Sequence, residues 1–121
     1  MIDNFREFQA GPDPFGLNWR VTFVWQQTGI SIRHSDSVDV KFVIDDGEVK
    51  EEKVIALMHP LLLKMSQRTG QRLSDAWCMK LAALHLKRMI ETGEDLEKTL
   101  VTMSEQDMEA ADNALRSAAA V

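Results

Sequence analysis

Residues 17–26 alternate strictly in polarity, and this alternation constrains the fold more than any other feature of the 121-residue chain. Leu17, Trp19, Val21, Phe23 and Trp25 fall on one side, with Asn18, Arg20, Thr22, Val24 and Gln26 on the other. That is the period of a half-buried β-strand. Ile30, Ile32 and His34 continue the pattern against Ser31 and Arg33, and Val38, Val40, Phe42 and Ile44 continue it against Asp39, Lys41 and Val43. A one-residue slip would turn any of these strands inside out, so the turns must agree with the alternation. A two-residue turn at Thr28-Gly29 sets Trp25 opposite Ile32 and Phe23 opposite His34. A three-residue loop at Ser35-Asp36-Ser37 sets Ile32 opposite Val40, Ile30 opposite Phe42 and Arg33 opposite Asp39. Both turns place the same residues inside, which predicts an antiparallel meander with strands over 17–27, 30–34 and 38–45.

Asp45-Asp46-Gly47 reads as the next hairpin turn. Residues 48–58 suit either a strand or a helix, and Pro60 arbitrates. Proline disfavours helical geometry in the residue before it and suits the first turn of a helix. A charged edge strand over 49–57 and a helix over 60–69, closed by Gly70, follow. Ser74 caps a second helix over 74–92 that stops at Gly93, and Glu94 to Glu97 form a further turn. Residues 99–103 read as extended, and the Ser104–Asp107 capping box opens a last helix over 105–117. At the other end Ile2, Phe5 and Phe8 suit one side of a short helix, with a turn-rich link from Gly11 to Gly16. The class expected is α+β: an N-terminal arm over 1–16, then one domain over 17–121 with its helices on one face of the sheet.

Composition limits the functions open to such a domain. Nineteen Asp+Glu against 14 Lys+Arg argue against a nucleic-acid footprint, which needs concentrated cations. No run of eighteen apolar residues offers a membrane span, and Met1 to Arg6 lack the layout of a secretory leader. Cys78 is the single cysteine, so no internal disulfide or thiolate cage can form, and a reduced, cytoplasmic protein without cofactors is expected.

The helix over 74–92 is the most informative element. Advancing 100° per residue puts Lys80, Lys87 and Glu91 in one narrow arc, while Asp75, His85 and Arg88 alone interrupt the remaining apolar surface. One sheet face uses an apolar stripe of roughly 100–140°, so this helix needs a second contact. Either the helices 60–69 and 105–117 supply it or another copy of the chain does. The second choice predicts a homodimer through Met79, Ala83, Leu86 and Ile90.

The chemistry-bearing residues give little positive ground for an enzyme. Cys78 and His85 are seven residues apart, about 10.5 Å along a regular helix, which exceeds hydrogen-bond reach. His34, His59 and His85 lack the short spacings of a metal motif, and Asp45, Asp46 and Glu48 lack the ligand order of a calcium loop. No phosphate loop, dinucleotide glycine fingerprint, HExxH or G-x-S-x-G is present. Arg20, Arg33 and Lys41 read as a solvated sheet face. The leading expectation is a small self-associating interaction module. The alternative is a small-molecule binder or enzyme with a pocket between sheet and helices, lined by Trp19, Phe23, Trp25, His34, Trp77, His85 and Arg88.

Overall fold

The computed structural model describes residues 2, 4–29 and 36–119. In chain order these form β1 (Glu7–Ala10), β2 (Trp19–Gly29), β3 (Ser37–Asp45), β4 (Lys50–Met58), α1 (His59–Thr69), α2 (Asp75–Thr92), β5 (Leu100–Met103) and α3 (Glu105–Ala119). One five-stranded sheet runs in the order β1-β2-β3-β4-β5, antiparallel except for the parallel β4–β5 pair. The α+β class and the helices stand as the sequence predicts, and the sheet has one strand more. Among the described residues no helix is long and apolar enough to cross a membrane.

The hairpin after β2 departs from expectation. Thr28 and Gly29 do not turn; they pair with Val38 and Ser37, so β2 runs straight on and β3 is its direct partner. Phe23 faces Phe42 instead of His34, with ring centroids 6.1 Å apart in an edge-to-face arrangement. The strand expected over 30–34, with its pairings to Trp25, Phe23 and Asp39, lies outside the described residues. Alternation fixes which face a side chain takes but not which strand lies beside it, and the longer hairpin keeps the expected inside and outside as far as Phe23. A register shift between Phe23 and Trp25 marks a bulge at Val24. An inserted residue reverses the alternation, so Trp25 pairs with Lys41 and leaves the core face.

Ahead of β2, residues 7–10 form a strand paired to Trp19–Thr22 where a short helix was expected. Phe8 and Ala10 turn inward there, spaced two apart, as a strand requires. At the other edge, β5 covers the second half of β4 from Val54 to Leu57, so only the charged first half overhangs as predicted. Lys53 is the exception: it shares the inward face with Phe42 and is 2 % exposed. Its ammonium donates to the backbone carbonyls of Leu96 and Lys98, the latter at 2.9 Å.

Both caps of α2 form as read: Ser74 Oγ accepts from the Trp77 amide at 3.2 Å, and Gly93 closes the helix at φ 76°. The Ser104–Asp107 box also forms, each residue's amide donating to the other's side chain. α2 is the hub of the core, packed on the sheet along one side and on α3 along the other. Its apolar girth is therefore covered within the chain. Met79 is 9 % exposed and Ala83, Leu86 and Ile90 are 0 %, so the four residues expected to meet another copy are interior. The stripe they form faces the sheet, where Met79 borders the same hollow as Phe23. An alanine-rich α3 suffices as cover because small side chains let two helices approach closely.

Candidate functional site

Two features lie side by side at the C-terminal end of α2. One is the loop from Gly11 to Asn18 between β1 and β2. Asp13 organises it: Oδ1 accepts from the amides of Phe15 and Leu17 at 2.9 and 2.8 Å, and Oδ2 accepts from the Trp19 indole at 3.0 Å. The Asp13 amide donates to the Leu17 carbonyl at 2.8 Å, and the Gly16 amide to the Asp13 carbonyl at 2.9 Å. The Trp19 indole N–H holds the Asp13 carboxyl below its ordinary value; burial opposes this, and the two loop amides support it. Gly11, at φ 129°, sits where a Cβ would come within 2.9 Å of the Leu17 carbonyl. Pro14 packs on Gly93, so the loop is seated on the cap of α2. At the tip of this braced turn Phe15 is 88 % exposed.

The second feature is a groove of about 310 Å³ between α2 and α3. Leu84, Ala110, Ala111 and Ala114 give it apolar walls, and His85 and Arg88 reach its rim with Asp107 opposite. His85 is 8 % exposed, and its ring makes no hydrogen bond among the described residues. Burial lowers its pKa by disfavouring the imidazolium; Asp107 pulls the other way, Arg88 reinforces the lowering, and Glu94 and Asp95 oppose it. Arg88 is exposed, and its guanidinium has no ion-pair or hydrogen-bond partner among the described residues. Lys87 is held by Glu91 one turn on.

Of the expected pocket lining, His85 and Arg88 share the α2–α3 groove, and Phe23 and Trp25 border a second hollow between β2 and the start of α2. Trp19 is buried against Asp13, Phe23 packs on Phe42, and Trp77 is buried with no partner for its indole N–H among the described residues. Trp25 stands on the outer sheet face with the Lys41 ammonium 5.8 Å from its ring centre, and His34 lies outside the described residues. Cys78 is buried, and burial, with Asp75 adding to it, pushes its thiol up to about 11. Thiolate chemistry needs the opposite environment. Asp45 and Asp46 spend their carboxylates on the amides of Gly47, Glu48 and Val49, so the acidic corner is a hairpin turn. Among the described residues no group of three His, Cys, Asp or Glu is placed to hold a metal.

Phe15 belongs to neither periodic pattern, so neither alternation nor helical spacing marks it. The signal available was an aromatic residue inside Pro12-Asp13-Pro14-Phe15-Gly16, a turn too stiff to fold its side chain back. Comparison with family models, with curated proteins and with solved structures finds no match to this chain. The fold alone defines its class: a five-stranded α+β domain with three helices on one face and an aromatic knob beside an open helical groove.

His85 sets a pH dependence of stability. Well above pH 6.5 it is neutral in both states and contributes no slope. Below its ordinary value of 6.5 the unfolded chain takes up a proton that the folded chain resists, so stability falls with pH until the lowered folded pKa is passed. Urea unfolding between pH 7 and 5 should show this fall, and His85→Gln should flatten it. The depressed carboxyls of Asp13, Asp46 and Glu105 remove stability only at lower pH, as pH drops from their ordinary values of 3.8, 3.8 and 4.5 towards their folded pKas. An unchanged slope in His85→Gln would contradict this assignment.

Proposed function

We propose that this chain is a protein-interaction module that self-associates, with the Phe15 loop as its anchor. The observation that carries the reading is a phenyl ring 88 % exposed on a turn held by hydrogen bonds to Asp13. Burying such a ring in a partner recovers roughly 1.5–3 kcal/mol. The loop is already ordered, so little further conformational entropy is lost on contact. Aromatic anchors on rigid supports are the usual hot spots of interfaces. A homodimer in a reduced, cytoplasmic setting also suits the lone buried thiol. The small-molecule reading has less support, since the tryptophans meant to line a pocket are dispersed through core and outer face.

Sedimentation equilibrium across the micromolar range should show a monomer–dimer equilibrium for the wild type. Phe15→Asp should weaken it at least tenfold while leaving far-UV circular dichroism unchanged, and the melting temperature unchanged at dilutions where the wild type is monomeric, because the ring makes almost no contact in the monomer. A wild type that stays monomeric at several hundred micromolar overturns the reading.

A further inference from the structure

The α2–α3 groove and the Phe15 loop fit each other. Resting on the reading above, we infer that Phe15 of one copy seats in the α2–α3 groove of a second copy, and that the second copy returns the same contact.

Size comes first. A cavity of about 150 Å³ holds a benzene ring, and this groove offers about 310 Å³ between Leu84 and the alanines of α3. Chemistry comes second. Arg88 stands at the rim without a partner for its guanidinium among the described residues. A cation over an aromatic face is attracted by the ring quadrupole, so an incoming phenyl supplies what Arg88 lacks in its own chain.

Placement comes third. Pro14 lies on Gly93, one residue beyond α2, while the groove spans Leu84 to Thr92. At 1.5 Å per residue the knob and the groove are within roughly 15 Å along the helix axis. Two features this close on one end of a molecule can exchange about a two-fold axis, where residue i of each copy meets residue j of the other. Charge fits the same arrangement. Glu94 already borders Arg88 within its own chain, so the acidic and basic groups at this end of α2 stand together on the face that the exchange would bring into contact.

Each phenyl buries roughly 150–250 Å² of its own surface and the groove adds less, so two contacts remove only several hundred Å² from water. That is the low end of interface sizes, where a weak and transient association is expected.

The test fills the groove. Ala110 and Ala114 are exposed on α3, so Ala110→Trp and Ala114→Trp leave the core intact, with Gln106→Trp as a control outside the groove. Both groove variants should weaken dimerisation at least tenfold, and the control should leave it unchanged. Phe15→Asp keeps a free groove and Ala114→Trp keeps a free knob, so a mixture of the two should form a heterodimer tighter than either homodimer. If Phe15→Asp dissociates the dimer while both groove variants leave it intact, Phe15 remains the anchor and the groove is not its seat. If neither kind of variant has an effect, the anchor falls as well.

Discussion

Leu86→Ala is expected to lower the unfolding free energy by about 3–5 kcal/mol, the upper part of the range for a leucine truncated at a site that cannot collapse. Leu86 is fully buried on the hub helix, with the sheet on one side of that helix and α3 on the other. Neither layer can move in to close the gap without breaking its other contacts, so the hole persists. For a domain of this length the loss corresponds to a melting temperature lower by roughly 10–20 °C. Leu86→Met, which conserves volume, should cost less than about 1.5 kcal/mol. Urea denaturation of the three proteins gives the comparison. The Leu86→Ala loss should not depend on protein concentration, because the side chain is inside one chain; a residue at a contact between copies would show such a dependence through mass action. A loss below about 1 kcal/mol, or one that shrinks on dilution, contradicts the interior placement.

Lys53→Ala is expected to cost about 2–4 kcal/mol, which is large for a residue whose neighbours Glu51 and Glu52 are exposed. Its ammonium is the donor to two carbonyls, those of Leu96 and Lys98, and it fastens the α2–β5 connection over the sheet. Glu51 stands 3.5 Å away and half in solvent, so the ion pair is the smaller part of the effect. Without the donor, each partly buried carbonyl loses a bond worth about 1.5–3 kcal/mol to a charged group, less whatever water restores. Lys53→Met separates the contributions: it keeps the stem's packing against Phe42 and loses only the donor, so it should fall between wild type and Lys53→Ala. Amide hydrogen exchange should also quicken across Leu100–Met103 in both variants, since the segment leading into β5 is no longer held. A Lys53→Ala protein as stable as wild type would show that the carbonyls find other donors.

Much of this fold is legible in the sequence, for local reasons. Ser74, Gly70, Gly93 and the Ser104–Asp107 box are short-range chemical signals, and the structure uses each of them. The inward set Val21, Phe23, Val40, Phe42 and Ile44 follows from period-two alternation. What alternation cannot convey is partnership. The turn read at Thr28-Gly29 is strand, because β2 pairs directly with β3, and the bulge at Val24 moves Trp25 to the other face by one inserted residue. β1 was hidden because four residues are too few to separate a strand from a turn of helix. Lys53 could have been found by parity, since it lies two and four residues before Ile55 and Leu57.

The candidate site was less legible. His85 and Arg88 were recognised, and they do share a groove, but its other wall belongs to α3, some twenty residues further along the chain. Neither the alanines of that wall nor Phe15 carry a motif; their meaning lies in which surfaces the fold leaves bare. The width of α2's apolar surface follows from the sequence, which leaves two covers open, the chain's own helices or a second copy; the sheet and α3 supply it within the chain.

The parallel strand β5 imposes an order on biosynthesis. The acceptors for Lys53 follow it by 43 and 45 residues, and the strand that flanks Val54–Leu57 comes later still. At translation speeds of about 5–20 residues per second, several seconds pass between the emergence of β4 and that of its outer neighbour. Throughout that interval the nascent polypeptide presents an unpaired apolar edge, so completion of the sheet must await the emergence of β5, and this is the window in which a chaperone would have its effect.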